Sequence, residues 1–148
     1  KITLVNEPHQ SYAIGKKFTL VDGVRGNMQK YSRDWLGFLG NDLNATIDLG
    51  TQKSVSKVTI DVLNSEGSWI HYPKSIEVFV SNDGINFKSV TLVSNADIIT
   101  KKGIIEMVFP FENAKFVKVI AQKIDKIPDG FPGAGSNAWL FVDEIMVE

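Results

Sequence analysis

The sequence contains no cysteine and only two histidines, His9 and His71. Without cysteine there can be no disulfide framework, no thiolate zinc site and no thiol nucleophile. Two histidines so far apart do not form a zinc motif, and the G-x-S-x-G motif of serine hydrolases is missing. The chain therefore lacks the common sequence signatures of an enzyme active site.

The sequence also lacks an excess of either charge and any long apolar run. Sixteen basic residues face seventeen acidic ones, so no broad positive field is available to bind a nucleic-acid backbone. No apolar stretch approaches the length of a bilayer-spanning segment. We therefore expect no nucleic-acid partner and no membrane insertion.

What is present is an ordinary globular composition. The chain has 148 residues, of which 43% are hydrophobic and 22% are charged. This length is enough to bury a single core, and the composition is far from that of a disordered chain. We expect one domain covering residues 1–148.

Alternation of apolar and polar residues with period two is the dominant pattern. It occurs at residues 45–49, 58–62 and 76–80, and each stretch predicts a strand with one buried face. The sequence SNDG at residues 81–84 predicts a tight turn, so that residues 87–93 return antiparallel. Further strands are predicted at residues 104–109, 116–122 and 141–147.

Seven or eight short strands without a helical stretch of useful length predict an all-β fold, an antiparallel β-sandwich. Two connections are unusually long, from about residue 22 to 44 and from about residue 125 to 138. Long irregular segments in a compact domain are more often functional than idle. We therefore expect the functional residues on these loops.

Several short motifs follow one another in a characteristic order. They are LVDG at residues 20–23, Trp35, TIDLG at 46–50, PKSIEV at 73–78, SNDGINF at 81–87, AKFVKV at 114–119 and DEIMV at 143–147. Their order and spacing resemble the discoidin-like, or factor V/VIII C-type, domain. That resemblance implies a galactose-binding-like jelly-roll sandwich.

Within that family, three regions look most like the C-terminal module of bacterial chitobiases, or β-N-acetylhexosaminidases, and like family 32 carbohydrate-binding modules. They are residues 20–26, 34–40 and 130–141. The resemblance implies an accessory module of a larger glycoside hydrolase that is secreted, periplasmic or at the surface of a bacterium. Hydrolysis would then belong to a separate domain of the same chain, and this domain would not be an enzyme.

Many members of this family bind a structural calcium ion. The resemblance implies that Asp22 and Glu144 would bind it, with Asn27 at the position where relatives often have Thr or Ser. Calcium prefers about six to eight oxygen ligands, which loop carbonyls beside two acids can provide. The alternative is that Asp22 only caps the turn before Gly23 through its side chain.

The candidate ligand-binding residues are aromatic and polar side chains on the loops. A sugar has an apolar face that lies on an aromatic ring and hydroxyl groups that accept and donate hydrogen bonds. The candidates are Arg33, Asp34, Trp35, Phe38, Trp69, His71, Tyr72 and Phe131. The alternative is that Trp35 and Trp139 are structural and that the Trp69 segment closes one end of the fold.

Three functions remain open from the sequence. The first is a carbohydrate-binding module for glycans that contain N-acetylglucosamine or galactose. The second is a structural module that packs on the catalytic domain of the same chain and binds no sugar. The third, attachment to a lipid or protein surface, is the weakest, because no loop combines exposed apolar residues with adjacent Lys or Arg.

Overall fold

The fold is an antiparallel β-structure, seen in a computed structural model that describes residues 1–29, 31 and 33–148. The strands are β1 (Ile2–Leu4), β2 (Leu36–Leu39), β3 (Leu43–Val62), β4 (Ser75–Ser81), β5 (Lys88–Ser94), β6 (Ile104–Gln122) and β7 (Trp139–Val147). One short α-helix, α1 (Asn95–Thr100), and 3-10 turns at Gln10–Tyr12, Lys16–Val21 and Glu66–Ser68 complete the elements.

The two long strands, β3 and β6, pair with each other along most of their length and take part in both layers of the sandwich. The first half of β3 also pairs with β1, and the second half of β6 pairs with β4, which in turn pairs with β5. The second half of β3 pairs with β7, and β7 pairs with β2. Two register shifts in the β3–β6 ladder separate these halves, and such bulges bend a sheet.

The main apolar core lies between the two layers, and buried residues alternate along β4, β6 and the first half of β3. Ala45 and Ile47 of β3 face the same core as Val117 and Val119 of β6, and all four are buried. A smaller cluster of Trp35, Leu63, Ile70 and Phe141 packs elsewhere. Phe141 alternates with Leu140 and Val142, which lie in the main core, so it points away from that core.

The structure confirms the predicted all-β antiparallel sandwich and each predicted strand. It joins residues 45–49 and 58–62 into one strand, and residues 104–109 and 116–122 into another. The sequence predicted no helical stretch of useful length, and the structure has one short helix of six residues, α1, after β5. Ser94 caps α1 by accepting a hydrogen bond from the amide of Asp97, which is the usual way a short helix begins.

Within the described residues, no helix has the length and apolar character needed to cross a membrane. The long connection after β6 has no strand of its own, whereas the connection of residues 22–44 contains β2 and follows the 3-10 turn Lys16–Val21. Both connections pack beside β7, and this arrangement positions the candidate site.

Candidate functional site

Three segments meet beside the start of β7 and enclose a cavity of about 310 Å³. They are the loop after β3, the first turn of α1 and the loop between β6 and β7. The Trp139 amide donates to the Trp69 carbonyl at 2.8 Å, and the His71 amide donates to the Trp139 carbonyl at 3.2 Å. The cavity is lined by Asn64, Glu66, His71, Tyr72, Asn95, Ile99, Ile124, Pro128 and Phe131. We call it the His71 cavity.

His71 is the most informative residue of this cavity. Its side chain is buried, with 8% relative exposure, and its Nε2 has no hydrogen-bond partner among the described residues. Its ring meets Phe131 edge to face, with 5.5 Å between the centroids. Burial lowers the pKa of His71 despite the opposing charge of Glu66, so the ring is neutral at pH 7. A buried ring nitrogen without a partner is suited to hydrogen-bond a ligand.

The rest of the cavity wall combines polar and apolar groups. Asn95 is oriented by a hydrogen bond from its Nδ2 to the Pro73 carbonyl, at 2.9 Å. Asn64 and Glu66 add polar groups on the loop after β3, while Ile99, Ile124 and Pro128 are apolar. This combination of a few polar groups with apolar walls is typical of small-molecule sites.

The sequence predictions placed His71, Tyr72 and Phe131 among the ligand residues, and the structure brings all three together in the His71 cavity. They missed Asn64, Glu66 and Asn95. Asn95 lies on α1, which was not predicted, so no pattern in the sequence placed it near His71. Asn64 and Glu66 precede Trp69 in the same loop, and their polar character was the only available signal.

Trp69 lies at the edge of this region and is 41% exposed. It follows the turn Glu66–Ser68, and its amide donates to the Glu66 carbonyl at 3.0 Å. One part of the indole packs directly against Gly133, where a Cβ atom would overlap the ring. The loop between β6 and β7 therefore contributes Phe131 to the cavity and supports Trp69 through Gly133.

Arg33 and Asp34 do not line the His71 cavity. Arg33 lines a separate cavity of about 250 Å³, together with Ser11, Tyr12, Ile14, Tyr31 and Trp35. Its side chain is 79% exposed, and its Nε lies 3.9 Å from the Asp34 carboxylate. The predicted ligand residues thus fall into two groups rather than one site.

Trp35 and Phe38 are corrected by the structure, because each side chain is buried with 1% exposure. Phe38 belongs to the main core, and Trp35 packs with Leu63, Ile70 and Phe141. The indole nitrogen of Trp35 donates to the Asn27 carbonyl at 3.2 Å. Their aromatic character therefore serves packing, although Trp35 also lies in the wall of the cavity that Arg33 lines.

The residues predicted to bind calcium are only partly brought together. The Glu144 carboxylate accepts a hydrogen bond at 2.9 Å from the amide of Gly23, the residue that follows Asp22 in the chain. Burial raises the pKa of Glu144, and the charge of Asp22 raises it further, so a cation would stabilise this pair. Asp22 Oδ1 also accepts from the Val24 amide at 2.8 Å, which is the predicted turn cap.

Asn27 does not join these two acids, because its side-chain oxygen accepts from the Gln29 amide at 2.8 Å. Among the residues that the structure describes, no group of three or more His, Cys, Asp or Glu is arranged to hold a metal. Asp22 and Glu144 could therefore provide two ligands to a cation, and backbone carbonyls of the loop would have to provide the rest of the coordination shell. Calcium stays a prediction.

The same loop is attached to the sheet by a charge pair that the sequence did not indicate. Arg25 donates to both carboxylate oxygens of Asp61, at 2.7 and 2.6 Å, and Asp61 is 2% exposed. The neighbouring amide of Gly26 donates to Asp143, which is fully buried. Burial raises the pKa of Asp143 to about 7. Asp61 and Asp143 are direct partners in the β3–β7 ladder.

One sequence argument against surface attachment is wrong. Ile14 and Phe18 are 73% and 60% exposed, and Lys16 and Lys17 lie between them in the chain. The Lys17 ammonium lies over the Phe18 ring at 5.8 Å from its centroid. This segment does combine exposed apolar residues with adjacent lysines.

Comparison with known families gives a match over nearly the whole chain. The model described as "F5/8 type C domain" matches residues 5–144. A search of the curated proteins finds no match.

Solved structures with the same fold include proteins that bind glycans. Chitosan-binding module 1 of a chitosanase/glucanase from Paenibacillus sp. IK-5 has a TM-score of 0.65 and 17% identity, covering 100% of this chain and 93% of its own. A CBM32 module from Clostridium perfringens, in complex with GalNAc-β-1,3-galactose, has a TM-score of 0.64 and 18% identity, covering 99% and 93%.

The lectin domain of lectinolysin, complexed with Lewis B antigen, has a TM-score of 0.66 and 16% identity, covering 100% of this chain and 91% of its own. At these identities the likeness shows a shared fold and leaves the ligand of this chain open.

Proposed function

We propose that this chain, which belongs to the F5/8 type C domain family, is a non-catalytic carbohydrate-binding module that binds its ligand in the His71 cavity. The observation that carries the proposal is the buried Nε2 of His71, which has no partner among the described residues and lies in the wall of a cavity. The named ligands of the similar structures support it, since chitosan, GalNAc-β-1,3-galactose and Lewis B antigen are all glycans.

The cavity wall favours a neutral sugar. Phe131 can lie against the apolar face of a pyranose ring, while His71, Asn64 and Asn95 can bond hydroxyl or acetamido groups. No Lys or Arg lines the cavity within the described residues, so it offers no counter-charge to an acidic sugar. We therefore propose a ligand that contains N-acetylglucosamine or galactose. A millimolar affinity, about −4 kcal/mol, would suffice for this role.

The wider setting follows the family resemblance. The module would belong to a secreted, periplasmic or surface-bound bacterial glycoside hydrolase of the β-N-acetylhexosaminidase type. By holding the enzyme on its glycan, it would raise the effective concentration of substrate near the catalytic domain. Calcium bound by Asp22 and Glu144 would fix the loop that starts at Asp22 to the end of the sheet.

The second candidate is a docking module that binds no sugar. The exposed side chains of Ile14 and Phe18 favour it, because apolar residues that are exposed together on one short segment can form a contact patch for a partner. In that case the partner would be the catalytic domain of the same chain. The lysines between them leave a lipid surface as the third candidate.

The test is a glycan titration followed by amide chemical shifts, in calcium and again in EDTA. We expect N-acetylglucosamine, galactose or their oligomers to shift the resonances of His71, Tyr72 and Phe131. His71→Gln should weaken binding at least fivefold, while His9→Gln, which changes the only other histidine, should leave it unchanged. Calcium should separately shift the amides of Asp22 and Glu144.

If no sugar changes the amide chemical shifts at millimolar concentration, the glycan site is rejected and docking remains as the function. Shifts confined to residues around Arg33 and Tyr31 would move the site to the other cavity. Identical spectra in calcium and EDTA would reject the metal site without affecting the glycan proposal.

A further inference from the structure

Trp69 has a backbone conformation that does not suit its side chain. Its φ angle is 63°, in the left-handed region, and it ends the short turn Glu66–Ser68. A left-handed residue after a turn is usually glycine, because a Cβ atom costs roughly 1–2 kcal/mol there. Glycine would fit this position with less strain, so the geometry of the turn gives no reason for a tryptophan here.

Packing does not explain the indole either. Trp69 is 41% exposed and belongs to neither hydrophobic cluster, whereas Trp35 and Phe141 are buried. Within the described part of the chain, its indole nitrogen makes no hydrogen bond. Strained residues of this kind concentrate at functional sites, and a Trp with an open surface and a free donor is suited to bind a ligand.

Gly133 packs against part of the indole, while 41% of Trp69 stays exposed. Gly133 has a φ angle of 78° and lies so close to the ring that any side chain there would overlap Cε2, Cδ2 and Cζ2. Gly133 belongs to the loop that also contributes Phe131, and Trp69 lies between Glu66 and His71 in the chain. The two loops that line the His71 cavity therefore also carry Trp69 and the glycine that packs against its indole.

We propose that Trp69 is a sugar-stacking residue beside the His71 cavity and that Gly133 is the positioning residue that fixes its indole. This inference rests on the proposed glycan function. The exposed part of the indole would bind the apolar face of a pyranose whose polar groups reach His71. A tryptophan at this left-handed position lowers the stability of the folded protein, so sugar binding through Trp69 would come with a loss of stability.

The test compares Trp69→Ala with Trp69→Gly, because both remove the indole and only one retains a Cβ atom. We expect both variants to bind sugar about tenfold more weakly than the wild type. We expect the glycine variant to melt about 2–4 °C above the alanine variant, because it relieves the left-handed strain. Lys16→Gly is the matched control, since Lys16 also has a positive φ of 51° but lies outside the cavity.

Gly133→Ala tests the positioning role separately. We expect it to fold, to change the environment of Trp69 in its indole N–H resonance, and to weaken sugar binding about as much as Trp69→Ala. Wild-type binding by this variant would overturn the role of Gly133.

Wild-type affinity in both Trp69 variants, together with lost binding in His71→Gln, would overturn the inference and leave the proposed function intact. If the wild-type protein binds no sugar, both the proposed function and this inference fail. Equal melting temperatures for Trp69→Ala and Trp69→Gly would overturn the strain argument alone.

Discussion

At the residue scale, His71 connects the candidate site to the pH dependence of stability. Burial lowers its pKa from the ordinary 6.5, so the folded state binds a proton less readily than the unfolded state. The stability contributed by neutral His71 is present above pH 6.5 and is lost as the pH falls through the folded pKa. Protonation of the buried ring should also weaken any ligand bond that uses the neutral form.

The raised pKa values of Asp143 and Glu144 act in the opposite direction and are common to the wild type and its variants. We therefore expect the free energy of unfolding of the wild type, taken relative to that of His71→Gln, to fall between pH 7 and pH 5, as measured by urea unfolding. The difference between the wild type and His9→Gln should stay constant over the same range. If the wild type and His71→Gln have parallel pH profiles, the histidine is not the group responsible.

Individual site residues were only partly predictable from sequence for a physical reason. Aromatic and polar residues on loops could be identified as candidates, but their orientation depends on packing partners far along the chain. Trp35 is buried against Phe141, and His71 packs against Phe131, in each case across a separation of many residues. Trp69 and Trp35 look equivalent in sequence, yet only Trp69 is exposed.

At the element scale, the loop of residues 22–29 covers polar residues on the outer side of β3 and β7. Asp61 and Asp143 are buried there, and Arg25 provides the cation that pairs with Asp61. Removing Arg25 would leave a buried carboxylate without its counter-charge, which is costly. The guanidinium is 45% exposed, so water screens part of this interaction.

We expect Arg25→Met to lower the free energy of unfolding by about 1.5 kcal/mol, as measured by urea denaturation at pH 7. Arg33→Met is the matched control, because Arg33 is 79% exposed and should change stability by less than about 0.5 kcal/mol. Equal effects of the two substitutions would show that the charge pair does not hold the loop.

Elements were more predictable than the site because period-two alternation directly reflects a buried face. β4 and β5 were identified from alternation and the SNDG turn, and Asp83 holds that turn by accepting from the amides of Ile85 and Asn86. Alternation does not show that two runs form one bent strand, since a bulge breaks the pattern. β1 and β2 have only three and four residues, too few for a periodic pattern.

At the scale of the whole molecule, β3 and β6 belong to both layers, so neither layer can unfold alone. One layer contains β1, β4 and β5, and the other contains β7 and β2. β3 and β6 pair with strands of both layers or with each other across the bend between them. We expect one cooperative thermal transition, with far-ultraviolet circular dichroism and tryptophan fluorescence giving the same midpoint. The two signals report different regions, because the tryptophans lie near the loops and the dichroism reports the strands.

Val58→Ala, in the buried core, should shift both midpoints downward by the same amount. Two separated midpoints, in the wild type or in this variant, would show that the layers are independent units.

The walls of the His71 cavity are contributed by loops and by the one-turn helix α1, and much of that wall lies outside the main core. Substitutions in these short segments can change the shape and polarity of the cavity while the strands keep their packing. Ligand preference and folding are therefore largely separate properties of this chain. A protein engineer could exchange the segments around Asn64, Asn95 and Phe131 to retarget the module, and natural divergence could proceed along the same route.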